Sequence, residues 1–267
     1  MKQEEEKYFE QNKKLWNDRT AIHVKSDFYN NAEFLAGKNS LNKIELEELG
    51  DIKGKSILHL QCHFGQDTLS FARMGADVTG VDFSDDAIKI AGDMNEQLGL
   101  SAKFINCNIY DLKEHLDKKF DIVFTSYGTI GWLPDLNKWA DIVQHFLKPG
   151  GFFYIVEFHP FVWMFDDEFK GIEYPYFNTE EPITIHTTST YGDTSAKIEG
   201  VEYGWNHSLS DVLNSLKTNG LNTEYIHEFP YSSYNIFPDM YQEADGYWRM
   251  KKFGEKIPVM FSIKALK

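Results

Sequence analysis

The chain has 267 residues, 42% of them hydrophobic, which is enough for one large domain, or a domain with an insertion, around a packed core. Its net charge of −14 and the absence of any dense Lys/Arg block argue against a phosphate-backbone partner and favour a small molecule over nucleic acid. No apolar run approaches the roughly 18–20 residues that span a bilayer, and the opening MKQEEEKYFEQNKKLW lacks the apolar stretch of a secretory signal, so a cytoplasmic protein with no membrane partner is expected.

Residues 1–50 read as helical. Tyr8, Asn12, Leu15 and Trp16 fall near one face, and Leu41, Ile44, Leu46 and Leu49 mark a second helical pattern over 34–49, with WNDRTAIHVKSDFY between the two. Gly54 punctuates before an apolar strand at 57–62. A turn at His63-Phe64-Gly65 opens a short helix, and a second strand at 78–81 ends in Asp82. Ser84-Asp85-Asp86 signals a helix start, and that helix runs through Ala87, Ile90, Ala91 and Met94 to Gly99. Strands follow at 103–107, 120–126 and 152–157, with a helix at 139–146 closed by Leu147-Lys148-Pro149-Gly150-Gly151. Residues 158–204 change character and read as an insertion of antiparallel strands and loops around 183–191. A helix at 208–219 and strands at 223–229 and 258–265, paired as a hairpin, complete the sheet.

Cys62 and Cys107 fall at the ends of the first and third strands, in no zinc spacing. With another strand between them they stand about 9–10 Å apart, too far for a disulfide, and both read as reduced apolar fillers. The histidines also lack ligand spacing, so no metal site is expected.

Strand, tight turn, helix, strand, carboxylate is the layout of a nucleoside-binding α/β unit. The turn brings a ligand to the N-terminus of a helix, where unpaired N–H groups favour an anion. Asp82, 17 positions after Gly65, stands where a carboxylate can accept from both ribose hydroxyls. The stretch ILHLQCHFGQDTLSFARMGADVTGVD resembles motif I and the acidic follow-on of class I S-adenosylmethionine-dependent methyltransferases, and VDFSDDAI, FDIV and LKPGG resemble that family's later motifs at matching mutual spacing. The resemblance covers 55–157 and continues more weakly through 208–267. It implies a Rossmann-like, mostly parallel seven-stranded sheet of order 3-2-1-4-5-7-6 with helices on both faces. The expected division is a helical lid (1–50), a cofactor-binding core (51–157), an antiparallel insertion on the acceptor side (158–205) and a C-terminal completion of the sheet (206–267). The implied cofactor is S-adenosylmethionine and the implied reaction is methyl transfer to a small-molecule acceptor.

The family pattern is a strand ending in an acid followed by three glycines at alternate positions. Here those positions hold His59, Gln61, His63 and Gly65. Gln61 and His63 then either contact the methionine end of the cofactor or mark a decayed site. The resemblance further assigns Asp67 to the cofactor pocket, Asp82 to the ribose, Phe83 to the adenine face, Asn108 and the N–H of Ile109 to the adenine edge, and Ser126 to the methionine amine through its backbone. Trp16 and His23 belong to the segment expected to cover the cofactor. For an acceptor that must lose a proton, Tyr127, Glu157 and His159 are the nearest candidate bases. Asp121, Pro149 and Gly150-Gly151 read as architectural. Aromatic residues crowd 152–177, which suits an apolar or cationic acceptor held by ring faces. Two rival readings stand beside this one: a non-catalytic binder of S-adenosylmethionine or S-adenosylhomocysteine, and a nicotinamide oxidoreductase, against which HLQCHFGQ lacks the G-x-G-x-x-G pattern.

Overall fold

The computed structural model describes residues 3–267. In chain order its elements are α1 (Gln3–His23), α2 (Asn31–Leu35), α3 (Lys43–Leu49), β1 (Ser56–Leu60), α4 (Gln66–Arg73), β2 (Asp77–Asp82), α5 (Asp85–Gln97), β3 (Lys103–Asn106), α6 (Leu112–His115), β4 (Phe120–Ser126), α7 (Leu136–Phe146), β5 (Leu147–Phe158), β6 (Ile183–Thr187), β7 (Gly200–Gly204), α8 (Leu209–Thr218), β8 (Asn222–Phe229), β9 (Met240–Gln242), β10 (Trp248–Met250) and β11 (Met260–Leu266). The main sheet runs β3-β2-β1-β4-β5-β11-β8. Its first five strands are parallel, while β11 is antiparallel to both β5 and β8. Counting only this sheet's strands, the order is the expected 3-2-1-4-5-7-6.

Side-chain alternation divides the core. Leu58, Leu60, Val123, Phe153, Ile155 and Ile263 face the layer that holds α7 and α8. Ile57, Ile122, Phe124, Tyr154, Val156 and Met260 face the opposite layer with Phe71 and Ile44. β1 is buried at every position because strands pair on both its edges and helices cover both faces. β8, at the sheet edge, is exposed along much of its length and carries Glu224, His227 and Glu228, charged or polar groups that discourage further strand pairing. At the opposite end of the strands, Asp121 accepts from the Ser56 N–H (2.8 Å) and hydroxyl (2.7 Å) and pairs with Lys148 (3.0 Å), the architectural role expected of it.

Three elements differ from expectation. α1 continues unbroken through Trp16 to His23, so the anticipated linker is partly helix. The helical pattern at 34–49 is two short helices, α2 and α3, rather than one. The last two sheet strands pair, but 30 residues (230–259) separate them, carrying the antiparallel β9–β10 pair; no short hairpin joins them. Within 158–205 the antiparallel pair β6–β7 is present. The amide of Asn12 on α1 donates to Tyr203 O (2.8 Å) and accepts from Tyr203 N–H (2.9 Å), docking the N-terminal helix on β7. No described helix is long and apolar enough to cross a membrane.

Candidate active site

A cavity of about 1070 Å³ opens at the carboxyl ends of β1, β2, β4 and β5. This is the crevice beside the switch point, where β1 has neighbours reached by connections running in opposite directions across the sheet. Its size is at the upper end of the roughly 300–1,000 Å³ of ordinary ligand pockets.

The turn after β1 forms one wall. Gln61, His63 and Gly65 all have left-handed backbone, with φ of 54°, 50° and 80°. The chain thus keeps a glycine-type turn with side chains at two of its positions, at a cost of about 1–3 kcal/mol for each non-glycine residue. Gly65 has a second reason to be glycine: a Cβ there would stand 2.8 Å from the Phe104 ring on β3, so it serves close helix–strand packing. The Gln61 amide donates to Thr129 O (2.8 Å), tying this turn to the one after β4, and its Oε1 is buried without a hydrogen-bond partner. His63 Nε2 meets His23 Nδ1 at 3.0 Å, while His63 Nδ1 is likewise buried and unpartnered. Burial first, then the neighbouring His23 and Arg19, holds the His63 imidazole well below its usual range, so the ring is neutral.

Asp82 ends β2 and lines the cavity. One oxygen accepts from the His63 N–H (2.8 Å) and the other from the Ser84 N–H (2.9 Å), so it braces the turn. Each carboxylate oxygen has a second lone-pair direction, which leaves capacity for two further donors. Burial pushes the carboxyl up to about 6, against the pull of those N–H groups. Phe83, Asn108 and Ile109 line the same wall. Asn108 Oδ1 accepts from the Tyr110 N–H (3.1 Å) as the cap of a short 3-10 turn, and among the described residues its amide NH2 has no hydrogen-bond partner. Asp67, on the first turn of α4, accepts from Ser40 Oγ (2.6 Å) and Ser126 Oγ (3.5 Å), and burial raises its carboxyl. His59 lines the wall with its ring between Phe71 and Phe124 and Nδ1 2.8 Å from Thr68 Oγ1; burial lowers it to about 3.

Three expected site residues are corrected. His23 is fully buried outside the cavity wall, with both ring nitrogens engaged by His63 and Thr190 (2.6 Å); it reaches the pocket only through His63. His159 is also off the wall, its Nε2 3.0 Å from Glu228 and its Nδ1 accepting from the Phe161 N–H (3.1 Å). Glu157 touches the cavity but accepts from Gly128 N–H, Thr129 N–H (2.7 Å), Thr129 Oγ1 (3.0 Å) and Phe158 N–H (2.7 Å). Those four donors fill its lone-pair directions, so it clasps the turn after β4 and has no site left to receive a substrate proton. Of the three candidate bases, Tyr127 alone lines the cavity with its phenol bonded to a carboxylate, Glu45, at 2.8 Å.

Sequence reading passed over several wall residues. Arg19 is 5% exposed, pairs with Glu202 on β7 at 2.7 Å and lies over the Trp16 and Trp132 rings. Tyr191 and Tyr234 come from two distant segments, and they join Tyr29 of the expected lid patch. Arg19 repeats the Leu15–Trp16 face of α1 one turn later, a periodic signal that was available. Tyr191 and Tyr234 had none, because only folding gathers them. Among the described residues no cluster of His, Cys, Asp or Glu has the makings of a metal site.

Residues 57–151 match the family model described as "Methyltransferase domain". Over these residues the chain is similar to methyltransferase domains. Its fold is that of S-adenosylmethionine-dependent methyltransferases: a Clostridium acetobutylicum structure of that description has a TM-score of 0.57 at 15% identity, covering 92% of this chain and 94% of its own. One from Mesorhizobium loti has a TM-score of 0.56 at 17% identity, covering 87% and 100%. Among curated proteins, the domain is 27% identical over 129 residues to a ubiquinone biosynthesis O-methyltransferase of Pseudomonas syringae pv. tomato, 48% of this chain and 55% of that protein. It is 32% identical over 133 residues to an uncharacterized methyltransferase of Synechocystis, 49% and 60% respectively. The chain thus spans a little over half the length of these curated relatives.

Proposed function

We propose that the protein transfers the methyl group of S-adenosylmethionine to a small-molecule acceptor. The observation that carries this is the turn after β1: a left-handed bend braced by Asp82, whose Gln61 and His63 line a cavity at the switch point and each keep one buried polar atom without a partner. Those atoms suit the amino-acid end of the cofactor. Gln61 Oε1 can accept from an ammonium, and a neutral His63 whose Nε2 accepts a hydrogen bond from His23 Nδ1–H presents Nδ1–H to a carboxylate. The two substituted glycines are then ligands, and the decayed-site reading loses its motive. Asp82 uses its remaining lone pairs on the ribose hydroxyls, Phe83 and Ile109 flank the adenine, and Asn108 meets its edge. Asp67 and the Ser126 backbone lie toward the methionine amine, and Trp16 covers the cofactor from α1.

When bound, the cofactor supplies an electrophilic methyl on a sulfonium. The protein's contribution is to hold donor and acceptor in line and to exclude water. The ring-lined remainder of the cavity, including Phe158, Trp163 and Phe237, suits a flat apolar acceptor. The O-methyltransferase named above supports an oxygen acceptor as the first class to test.

Titration calorimetry with S-adenosylhomocysteine tests the reading. Wild type should bind, and Asp82→Ala should bind tenfold or more weakly, since lost hydrogen bonds to a charged group contribute about 1.5–3 kcal/mol. Equal affinity in the two proteins, or preference for NAD over S-adenosylhomocysteine, would overturn it.

A further inference from the structure

Tyr127 directly follows β4, with φ of 50°, and the Glu157 clasp on Gly128 and Thr129 holds it in that conformation. Its hydroxyl donates to Glu45 Oε2 at 2.8 Å and lies 3.3 Å from Ser233 Oγ. Glu45 sits on the first turn of α3, fully buried and behind the cavity wall. Its Oε1 accepts from the Asn42 N–H (2.7 Å) and Nδ2 (3.1 Å), closing a capping box at the helix start. Capping requires one oxygen only. The second oxygen is committed to the phenol of Tyr127, a residue of the cavity wall.

We propose that Tyr127 is a catalytic residue, with Glu45 positioning it and receiving its proton, and that the acceptor is a phenol. This rests on the methyltransferase reading. The acceptor hydroxyl gives its proton to Tyr127 Oη while the Tyr127 proton passes to Glu45 Oε2. The acceptor oxygen forms the new O–CH3 bond, the S–CH3 bonding pair returns to sulfur, and Glu45 later releases the proton to water.

The chemistry of the surroundings selects this acceptor. The titratable groups facing Glu45 are Asp67 on α4, Tyr127 after β4, Tyr154 on β5, and Tyr234 and Tyr247 in the 230–259 segment. None is a cation, and among the described residues Glu45 has no ion pair. Burial, then the Asp67 charge, pushes its carboxyl up to about 7. A base near 7 is matched to working pH and lies about three units below a phenol of ordinary acidity near 10. An alkanol, with an O–H nearer in acidity to water at about 15.7, is far out of its reach. Amines need no such relay once neutral. Aromatic neighbours suit a ring-bearing acceptor: Tyr234, edge-on to Tyr127 at 4.9 Å, and Phe158, 5.9 Å away, both line the cavity.

The test uses 4-nitrophenol as probe with the full chain saturated in S-adenosylhomocysteine. At pH 8 the free probe is largely phenolate and Glu45 largely carboxylate, so placing both on one relay forces them to share a proton. Calorimetry in two buffers of different ionisation enthalpy should show uptake of nearly one proton per bound probe, and the phenolate absorbance of the bound probe should fall. Glu45→Gln preserves the capping box and should bind S-adenosylhomocysteine with wild-type affinity, but take up no proton and leave the phenolate band at full strength. Tyr127→Phe should lose the uptake as well. Equal proton uptake in wild type and Glu45→Gln, or no binding of the probe to the wild-type complex, would overturn the relay alone. Failure of wild type to bind S-adenosylhomocysteine would overturn the parent reading with it.

Discussion

The turns after β1 and after β4 are built by the same device and differ in one respect. Each leaves its strand through left-handed backbone that includes non-glycine residues, Gln61 and His63 in the first and Tyr127 in the second. Each is held by a carboxylate from the end of a neighbouring strand, Asp82 from β2 and Glu157 from β5. Asp82 takes two backbone donors and keeps capacity toward the cavity; Glu157 takes three backbone N–H groups and one hydroxyl and keeps none. A buried acid at the end of a strand can therefore be a ligand or a brace. The count of donors already bound to it distinguishes the two, and residue type and position do not.

The largest expected effect follows from saturation. Glu157→Ala leaves three backbone N–H groups without their acceptor and should destabilise the fold by about 3 kcal/mol or more, read by urea unfolding. An unchanged midpoint would show that the clasp is dispensable and would erase the contrast. Asp82→Ala should show the opposite balance, with a smaller stability loss than Glu157→Ala and the larger loss of S-adenosylhomocysteine affinity.

The carboxyl of Asp82 also predicts a pH dependence. Its folded value, about 6, is raised above the ordinary 3.8, so the stabilisation from this group is full below about 4 and is lost as pH rises through about 6. Cofactor binding should run the other way if the ribose uses the ionised form, weakening as pH falls through about 6. A flat affinity between pH 5 and 8 would separate Asp82 from the ribose. The smallest effect is expected at His63→Gly, where relief of the left-handed strain offsets part of the cost of the lost His23 hydrogen bond and ring packing, leaving a net loss of roughly 1–2 kcal/mol. Its use is to sharpen the comparison: a drop in S-adenosylhomocysteine affinity larger than the loss of stability marks His63 as a ligand, and a rise marks it as an obstacle.

The strands and the acid at position 82 were legible because alternating or continuous apolar runs bounded by turns leave few alternatives. α5 was legible for a similar reason: its Ser84 cap accepts from the Ala87 N–H (3.1 Å), a local interaction. The candidate bases were less legible. His159 and Glu157 stand two positions apart at a strand end, where alternation alone would put them on one face; the Glu228 and Thr129 partners that separate their surroundings lie 69 and 28 positions away in sequence. Glu45 was missed because N-x-x-E announces a helix cap, which it is. Its second oxygen meets Tyr127 across 82 positions.

The amino-acid order alone determined the α/β alternation and the turn, helix and acid of a nucleoside-binding layout, because each depends on residues within a few positions of one another; the seven-strand order came from the family resemblance. Tertiary structure alone decided which carboxylates are saturated, which histidines face the cavity and which phenol has a carboxylate behind it. Those are properties of donors and acceptors brought together from distant segments, and a buried oxygen has only as many lone pairs to offer as its neighbours leave.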